Sequence, residues 1–403
     1  MHDPNTDGPG AIDIDEFRAD VRAFLLTRYP VRDPEADDER DDIIGRVPDG
    51  HAAAVEAARE LQRALASVGL SGLHVPAEYG GRGLPRVYQR VLDEELRRVD
   101  APSLRPLGIG MHLAVNTLLA SATEEQKRRY LPALVSAEEQ WCKLFSEPDA
   151  GSDLVSLRTR AVRDGDEWVV DGQKVWSSYA HLADLGQLMA RTDPDVPKHQ
   201  GISMFLLPMD TPGVEPRPLR QMNGNAEFNE VFLTGVRVPH ANLVGDAGAG
   251  WRAVLTTLMS ERRAVGSGSA STLDPVQLLT DLARHVDRAG DPVVRQELAR
   301  AHTNRHLLRW LGMRMAESVA TGAALGPEGS IMKLLANANN RLVGGLAGTL
   351  LGPAMTADSG EWGTYAWANF LCSAPGLRIA GGTDEIQHNI LGERVLGLPR
   401  DPS

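Results

Sequence analysis

The apolar pattern of this chain changes period twice, and that change most limits what the chain can fold into. Up to about residue 140, hydrophobic residues recur at helical spacing. Ile14 to Tyr29 sets Phe17, Val21, Phe24 and Leu25 on one face, and Val55 to Val68 and Val87 to Val99 read the same way. Thr123-Glu-Glu-Gln126 forms a capping box that opens a helix toward Leu131. The glycine-rich stretch 75–83 between them reads as a connection. From Trp141 the pattern becomes β-rich, with strand signals at 168–170, 174–176, 202–207 and 231–238 separated by Gly, Pro, Asp and Asn turns. The pair WVV and KVW, in EWVVDGQKVW, reads as a hairpin. After Gly248-Ala249-Gly250 helical spacing returns. Asp274-Pro275 and Asp291-Pro292 each read as an N-cap with proline at the first helical position, and helices are expected over 293–320, 330–350 and 383–396. The expectation is a mainly α chain with a central β-domain: helices at 11–140, a β-domain at 141–247, and a helical bundle at 248–400.

A chain of 403 residues exceeds what one hydrophobic core normally spans, in keeping with that division. The net charge of −12 argues against nucleic acid as a partner, although a local basic patch or helix N-terminus still suffices for a phosphorylated ligand. Two cysteines, Cys142 and Cys372, make no disulfide framework and fit a reducing cytoplasm. The N-terminus has neither a basic start nor a long apolar run, so no signal peptide or membrane span is expected. No metal-ligand cluster is read. Residues 1–10 read as a disordered tail, and the acidic run from Asp33 to Asp42 as a solvated loop.

The stretch from Trp141 to Ser178 carries the chemistry. A Ser-Glu-Pro turn leads into Ala150-Gly151-Ser152-Asp153. Gly151 lets backbone approach a flat ligand closely. Ser146, Ser152 and Ser178 offer hydroxyls, and Trp176 offers a ring face beside Ser177 and Ser178. That set suits a large planar cofactor rich in heteroatoms. A polar loop between two elements is the blander reading of the same residues.

The stretch resembles the flavin-binding segment of the acyl-CoA dehydrogenase family, which has the form TEPxAGSD followed by GxKxWIT. Here these read SEPDAGSD (146–153) and GQKVWSS (172–178), and GGTDEIQHNILGERVLGLPR (381–400) resembles the family's closing motif. The resemblance implies the acyl-CoA dehydrogenase fold, with an N-terminal helical domain, a β-barrel-like middle domain and a C-terminal four-helix bundle, usually as a tetramer. It implies FAD as cofactor, with Ser178 on flavin N5, Trp176 against the isoalloxazine, and Phe145, Ser146, Gly151, Ser152 and Ser177 as neighbouring contacts. Thr383 and Glu385 match cofactor contacts of the closing motif. Ser152 corresponds to a serine touching the acyl-CoA, and Arg262 to an arginine near the substrate. The implied partners are an acyl-CoA or acyl carrier protein thioester and an electron-transfer flavoprotein.

Dehydrogenating a saturated thioester between its α and β carbons requires a base for the α-proton and an acceptor for the β-hydride, the flavin's part. Many family members carry the base as the glutamate of YEGT. That position reads Ala380-Gly381-Gly382-Thr383 here, without the glutamate or the tyrosine. A second group, which includes isovaleryl-CoA dehydrogenase, places the glutamate before an arginine on the first helix of the C-terminal domain, and Glu261-Arg262 matches it. Val254, Leu258, Glu261 and Val265 share one helical face, so Glu261 lies on or beside an apolar stripe. The alternative is an exposed Glu261 paired with Arg262 or Arg263, but neighbouring helical residues do not face each other, which disfavours both pairings. For Arg262 a structural salt bridge is the alternative. The family's Arg-x-x-Phe-Gly segment has no match in Ser271 to Asp291, and its Gln-x-x-Gly-Gly reads Gly348-Thr-Leu-Leu-Gly352. These losses imply weaker flavin binding or a second subunit that completes the site, hence a homotetramer or a heterotetramer. Two competing readings are a flavin monooxygenase on the same fold and a non-catalytic subunit of a mixed complex; the flavin loop and Glu261 favour the dehydrogenase.

Overall fold

The computed structural model describes residues 12–33, 51–266, 274–320, 326–357, 359 and 364–400. The tail at 1–10 and the acidic run beyond Asp33 lie outside them. The chain divides into two compact units, with the boundary within the helix that follows Gly250.

The first unit begins with helices α1 (Ile14–Leu26), α2 (His51–Ser67), α3 (Arg86–Leu96), α4 (Val115–Ser121) and α5 (Glu124–Val135). The apolar face read from the sequence is the buried face of α1, where Phe17, Val21 and Leu25 pack with Leu61 and Leu65 of α2 and Tyr88 and Leu92 of α3. The Asp13 side chain accepts from the amides of Asp15 and Glu16 at the start of α1. The Thr123–Gln126 capping box forms at the start of α5, with both reciprocal bonds present. Residues Ile109–Ala114 make a π-helical turn that runs into α4.

A seven-stranded mixed sheet follows: β1 (Trp141–Leu144), β2 (Arg160–Asp164), β3 (Glu167–Ser178), β4 (Leu185–Arg191), β5 (Ile202–Pro208), β6 (Val214–Pro218) and β7 (Phe228–Pro239). The path runs β1-β4-β2-β3-β7-β6, with β5 on the other side of part of β4. β1 and β2 pair with β4 in parallel, and the other pairs are antiparallel. β1 also packs against β3, three positions further along the path, so the sheet curls. One face, with Trp141, Leu185, Met189 and Met204, meets Leu131 and Leu134 of α5. The other gathers Trp168, Phe205, Val231, Val236 and Val238. β4 is buried along nearly its whole length, so it shows no period-2 alternation, and the sequence pattern does not reveal it.

EWVVDGQKVW is one continuous strand and not the expected hairpin. β3 crosses Asp171-Gly172 without turning, and the register against β7 shifts there instead. The Asp171 carboxylate accepts from the Gly235 amide at 2.8 Å across that irregularity. Gly172 serves close packing: a Cβ there would stand 2.3 Å from Thr159 Oγ1 and 2.7 Å from its Cα.

The second unit holds the end of α6 (Gly250–Gly266) with α7 (Pro275–His285), α8 (Pro292–Ala320), α9 (Glu328–Leu351), α10 (Thr364–Ile379) and α11 (Asp384–Arg394). Asp274 and Asp291 cap α7 and α8, each with proline in the first turn, as the sequence predicts. Helix α9 packs against α7, α8, α10 and α11. The core there joins Leu279, Leu282, Ala301, Val343, Ala347, Trp367 and Phe370. The sequence pattern does not reveal α10, which is apolar nearly all round and so presents no stripe. Among the described residues no helix is long and apolar enough to cross a membrane, and no group of three or more His, Cys, Asp or Glu could hold a metal ion.

Gly172→Ala forces the Thr159 backbone aside. It should cost about 1–3 kcal/mol of stability, read as a lower denaturant midpoint at unchanged slope.

Candidate functional site

Glu147 and Lys174 organise the site. Lys174 lies on β3 with its side chain fully buried, and its Nζ donates to Glu147 Oε1 at 2.8 Å and to the Phe145 carbonyl at 3.1 Å. Glu147 also accepts from the Thr159 amide at 2.9 Å and the Arg158 amide at 2.6 Å. Burial pulls the Lys174 ammonium down to about 8, against the attraction of Glu147. Burial works to raise the Glu147 carboxyl, but the Lys174 charge and the hydrogen bonds outweigh it and leave its pKa below the usual value. The 146–153 loop and β3 are thereby joined through one ion pair. Neither residue is among those expected from the sequence, although both stand inside the SEPDAGSD and GQKVWSS stretches. The signal was a lysine followed by Val175 and Trp176 on a strand, with an unmatched acid in the preceding loop.

The loop and strand bring the first group of expected residues into one unit. Phe145 is buried, and the Ser146 carbonyl accepts from the Val175 amide at 2.9 Å. Gly151 and Ser152 are exposed. A Cβ at Gly151 would meet nothing within 4 Å, so the backbone there borders open space. Trp176 is 57% exposed, with Phe228 edge-on at 6.0 Å between ring centroids. Its φ of 60° is a left-handed conformation that costs a non-glycine residue about 1–3 kcal/mol and that over-determined functional segments tolerate. The strand has a bulge here: Lys174 pairs with Val231 and Ser177 with Asn229, so three steps on β3 oppose two on β7. Such a bulge re-aims a side chain, and this one turns the Trp176 ring outward. Ser178 is half-buried, at the end of the strand.

Ser177 is fully buried, and its hydroxyl finds no partner among the described residues.

Thr383 and Glu385 lie in the second unit, in the first turn of α11. Thr383 is the N-cap, its Oγ1 accepting from the Ile386 amide. Backbone and Thr383 hydrogen bonds hold the Glu385 carboxyl below its usual range. Between them, Asp384 accepts from Asn337 Nδ2 at 2.6 Å and Arg378 Nε at 2.9 Å. The preceding loop is clamped from beneath. Gln387 Nε2 donates to the carbonyls of Gly381 at 3.1 Å and Gly382 at 3.2 Å, and Lys333 Nζ also donates to the Gly382 carbonyl. Glu261 and Arg262 lie on α6, but their side chains are outside the described residues. Before them on that helix, Val254 is buried and Leu258 partly buried against the first unit's core, as the stripe predicts.

Family models for the acyl-CoA dehydrogenase N-terminal, middle and C-terminal domains match residues 13–138, 142–236 and 248–396. The chain is similar to acyl-CoA dehydrogenase IpdE1 of Mycobacterium tuberculosis, 38% identical over 96% of this chain and 99% of that one. Among solved structures it is similar to the Tcur3481-Tcur3483 steroid ACAD, with a TM-score of 0.79 and 30% identity, covering 98% of this chain and 100% of that one. It is also similar to the ChsE4-ChsE5 complex from Mycobacterium tuberculosis, with a TM-score of 0.76 and 28% identity over 100% and 99% of the two chains.

Lys174→Met alone strands a buried carboxylate and should destabilise the fold by about 3–5 kcal/mol. Adding Glu147→Gln should recover a good part of that loss. Denaturant midpoints of the two single variants and the double variant measure the coupling.

Proposed function

The chain belongs to the acyl-CoA dehydrogenase family, and from that premise we propose that it is an FAD-dependent dehydrogenase that oxidises a bulky acyl-CoA thioester to its trans-2-enoyl form. The observation that carries the cofactor reading is the outward Trp176 ring on its bulge and the open backbone of Gly151, on a strand and a loop joined by the Glu147–Lys174 pair. Phe145, Ser146, Gly151, Ser152, Trp176 and Ser178 would hold the flavin, and Thr383 and Glu385 match cofactor contacts of the family's closing motif. Bound there, the flavin supplies a hydride acceptor. Trp176 provides an aromatic face, Ser178 a hydroxyl donor at the strand end, and Ser152 and Arg262 contacts to the thioester.

Glu261 takes the α-proton. Its position in the sequence follows the apolar stripe of Val254 and Leu258, and a carboxylate is a group that can serve as general base. The proton then resides on the Glu261 carboxyl. The three domains are 11–140, 141–247 and 248–400. The assembly is a homotetramer or a heterotetramer with a second family member, and an electron-transfer flavoprotein is the acceptor. The paired names of two similar structures support the mixed assembly.

The substrate reading rests on Ala380-Gly381, where many family members carry Tyr-Glu. Two large side chains are absent from that loop. Trp367 and Phe370 do not replace them, because both are buried in the second unit's own core. Tyr365, the third aromatic nearby in sequence, has its side chain outside the described residues.

Glu261→Gln should retain flavin and fold while kcat falls on the order of 10²-fold or more; wild-type turnover in that variant would remove Glu261 from the role. For the acyl group, kcat/KM should be higher for branched or ring-bearing acyl-CoAs than for straight ones of similar carbon count. A preference of about tenfold or more for the straight series would overturn the bulky-substrate reading.

A further inference from the structure

We infer that Asn229, oriented by His181, is a positioning residue that holds the Trp176–Ser178 segment in its cofactor-facing shape. The inference rests on the reading that this segment faces the flavin. Neither residue belongs to a motif read from the sequence.

The bulge at Val175-Trp176 breaks the ladder between β3 and β7, so its backbone groups need partners elsewhere. On one side the Val175 amide goes to the Ser146 carbonyl at 2.9 Å. On the other, the Ser177 carbonyl accepts from Asn229 Nδ2 at 2.9 Å. The second Nδ2 hydrogen goes to the Glu227 carbonyl at 3.2 Å, which also accepts from the Tyr179 amide at 2.7 Å. Asn229 is fully buried, and its Oδ1 lies 2.9 Å from His181 Nδ1. The arrangement allows one orientation of the amide. Flipped, Oδ1 would face two carbonyls, and only an Nδ1–H imidazole satisfies the outer oxygen. Burial holds the His181 pKa below its usual value, against the hydrogen bond to Asn229 and with a smaller push from the nearby His51, so the neutral ring is favoured.

Two non-glycine residues in left-handed conformation, Trp176 and Tyr179, flank the segment that this amide ties down. A residue in that conformation relaxes unless its surroundings fix it. The Asn229 side chain adds a second bond to the Ser177 carbonyl where the ladder resumes after the bulge. Leucine at 229 has similar bulk and no donor or acceptor, so the Ser177 and Glu227 carbonyls would each lose a bond and His181 its buried acceptor. Glutamine at 181 can still donate to Asn229 Oδ1, whereas phenylalanine cannot.

The test uses flavin-loaded protein, with Trp176→Ala as the direct-contact control. Asn229→Leu should shift the visible flavin band and raise the flavin dissociation constant by roughly tenfold. In the flavin-free chain it should speed amide exchange across 174–179. His181→Phe should move the spectrum in the same direction, and His181→Gln should restore most of it, so the inference stays testable if Asn229→Leu does not fold. A lowered melting temperature with a wild-type spectrum and affinity in Asn229→Leu, while Trp176→Ala shifts both, overturns the inference and leaves the flavin reading standing. If Trp176→Ala is silent as well, the flavin reading falls and takes the inference with it.

Discussion

The Glu147–Lys174 ion pair is the interaction on which the rest of the first unit's site depends. A buried ion pair gains little stability over an apolar pair of equal volume, because both charges lose water. Its use here is geometric. Lys174 reaches the Phe145 carbonyl as well as Glu147, and Glu147 gathers two backbone amides from the far end of the loop. The excursion between β1 and β2 is thereby pinned at both ends to one point on β3. Apolar side chains of the same size would fill the space without fixing which backbone groups meet. With the pair in place, Gly151 and Trp176 are both defined relative to a single buried ammonium.

Much of the fold is legible in the amino-acid sequence alone. The helical faces of α1 to α3, the Thr123–Gln126 box and the Asp-Pro caps are local signals, and each depends on residues within a turn or two. The site loops are legible through the SEPDAGSD and GQKVWSS stretches. What sequence patterns leave hidden is non-local. β4 is buried along both faces and α10 is apolar nearly all round, so neither carries a period. The continuity of β3 is hidden because Asp171-Gly172 has turn composition. What keeps the strand straight there is Thr159 behind the glycine and the Gly235 amide on the aspartate, and both come from elsewhere in the chain. The inward hydroxyl of Ser177 is hidden because a bulge, which a residue pattern does not register, shifts the alternation of β3 by one residue.

The loop at 380–383 adds a further constraint on how the chemistry is distributed. Gly381 has φ 69° and Gly382 φ 94°, and their carbonyls are held from beneath by Gln387 and Lys333. A side chain at 381 would have to adopt a left-handed backbone conformation, at about 1–2 kcal/mol for an L-residue. The absent glutamate is therefore more than one missing side chain, since the loop has taken a shape suited to glycine. Restoring a carboxylate at 381 would strain the clamp that also sets Thr383 and Glu385 at the start of α11. The proposal that Glu261 on α6 is the base agrees with that constraint, since it asks for no side chain at 381 and leaves the clamp undisturbed.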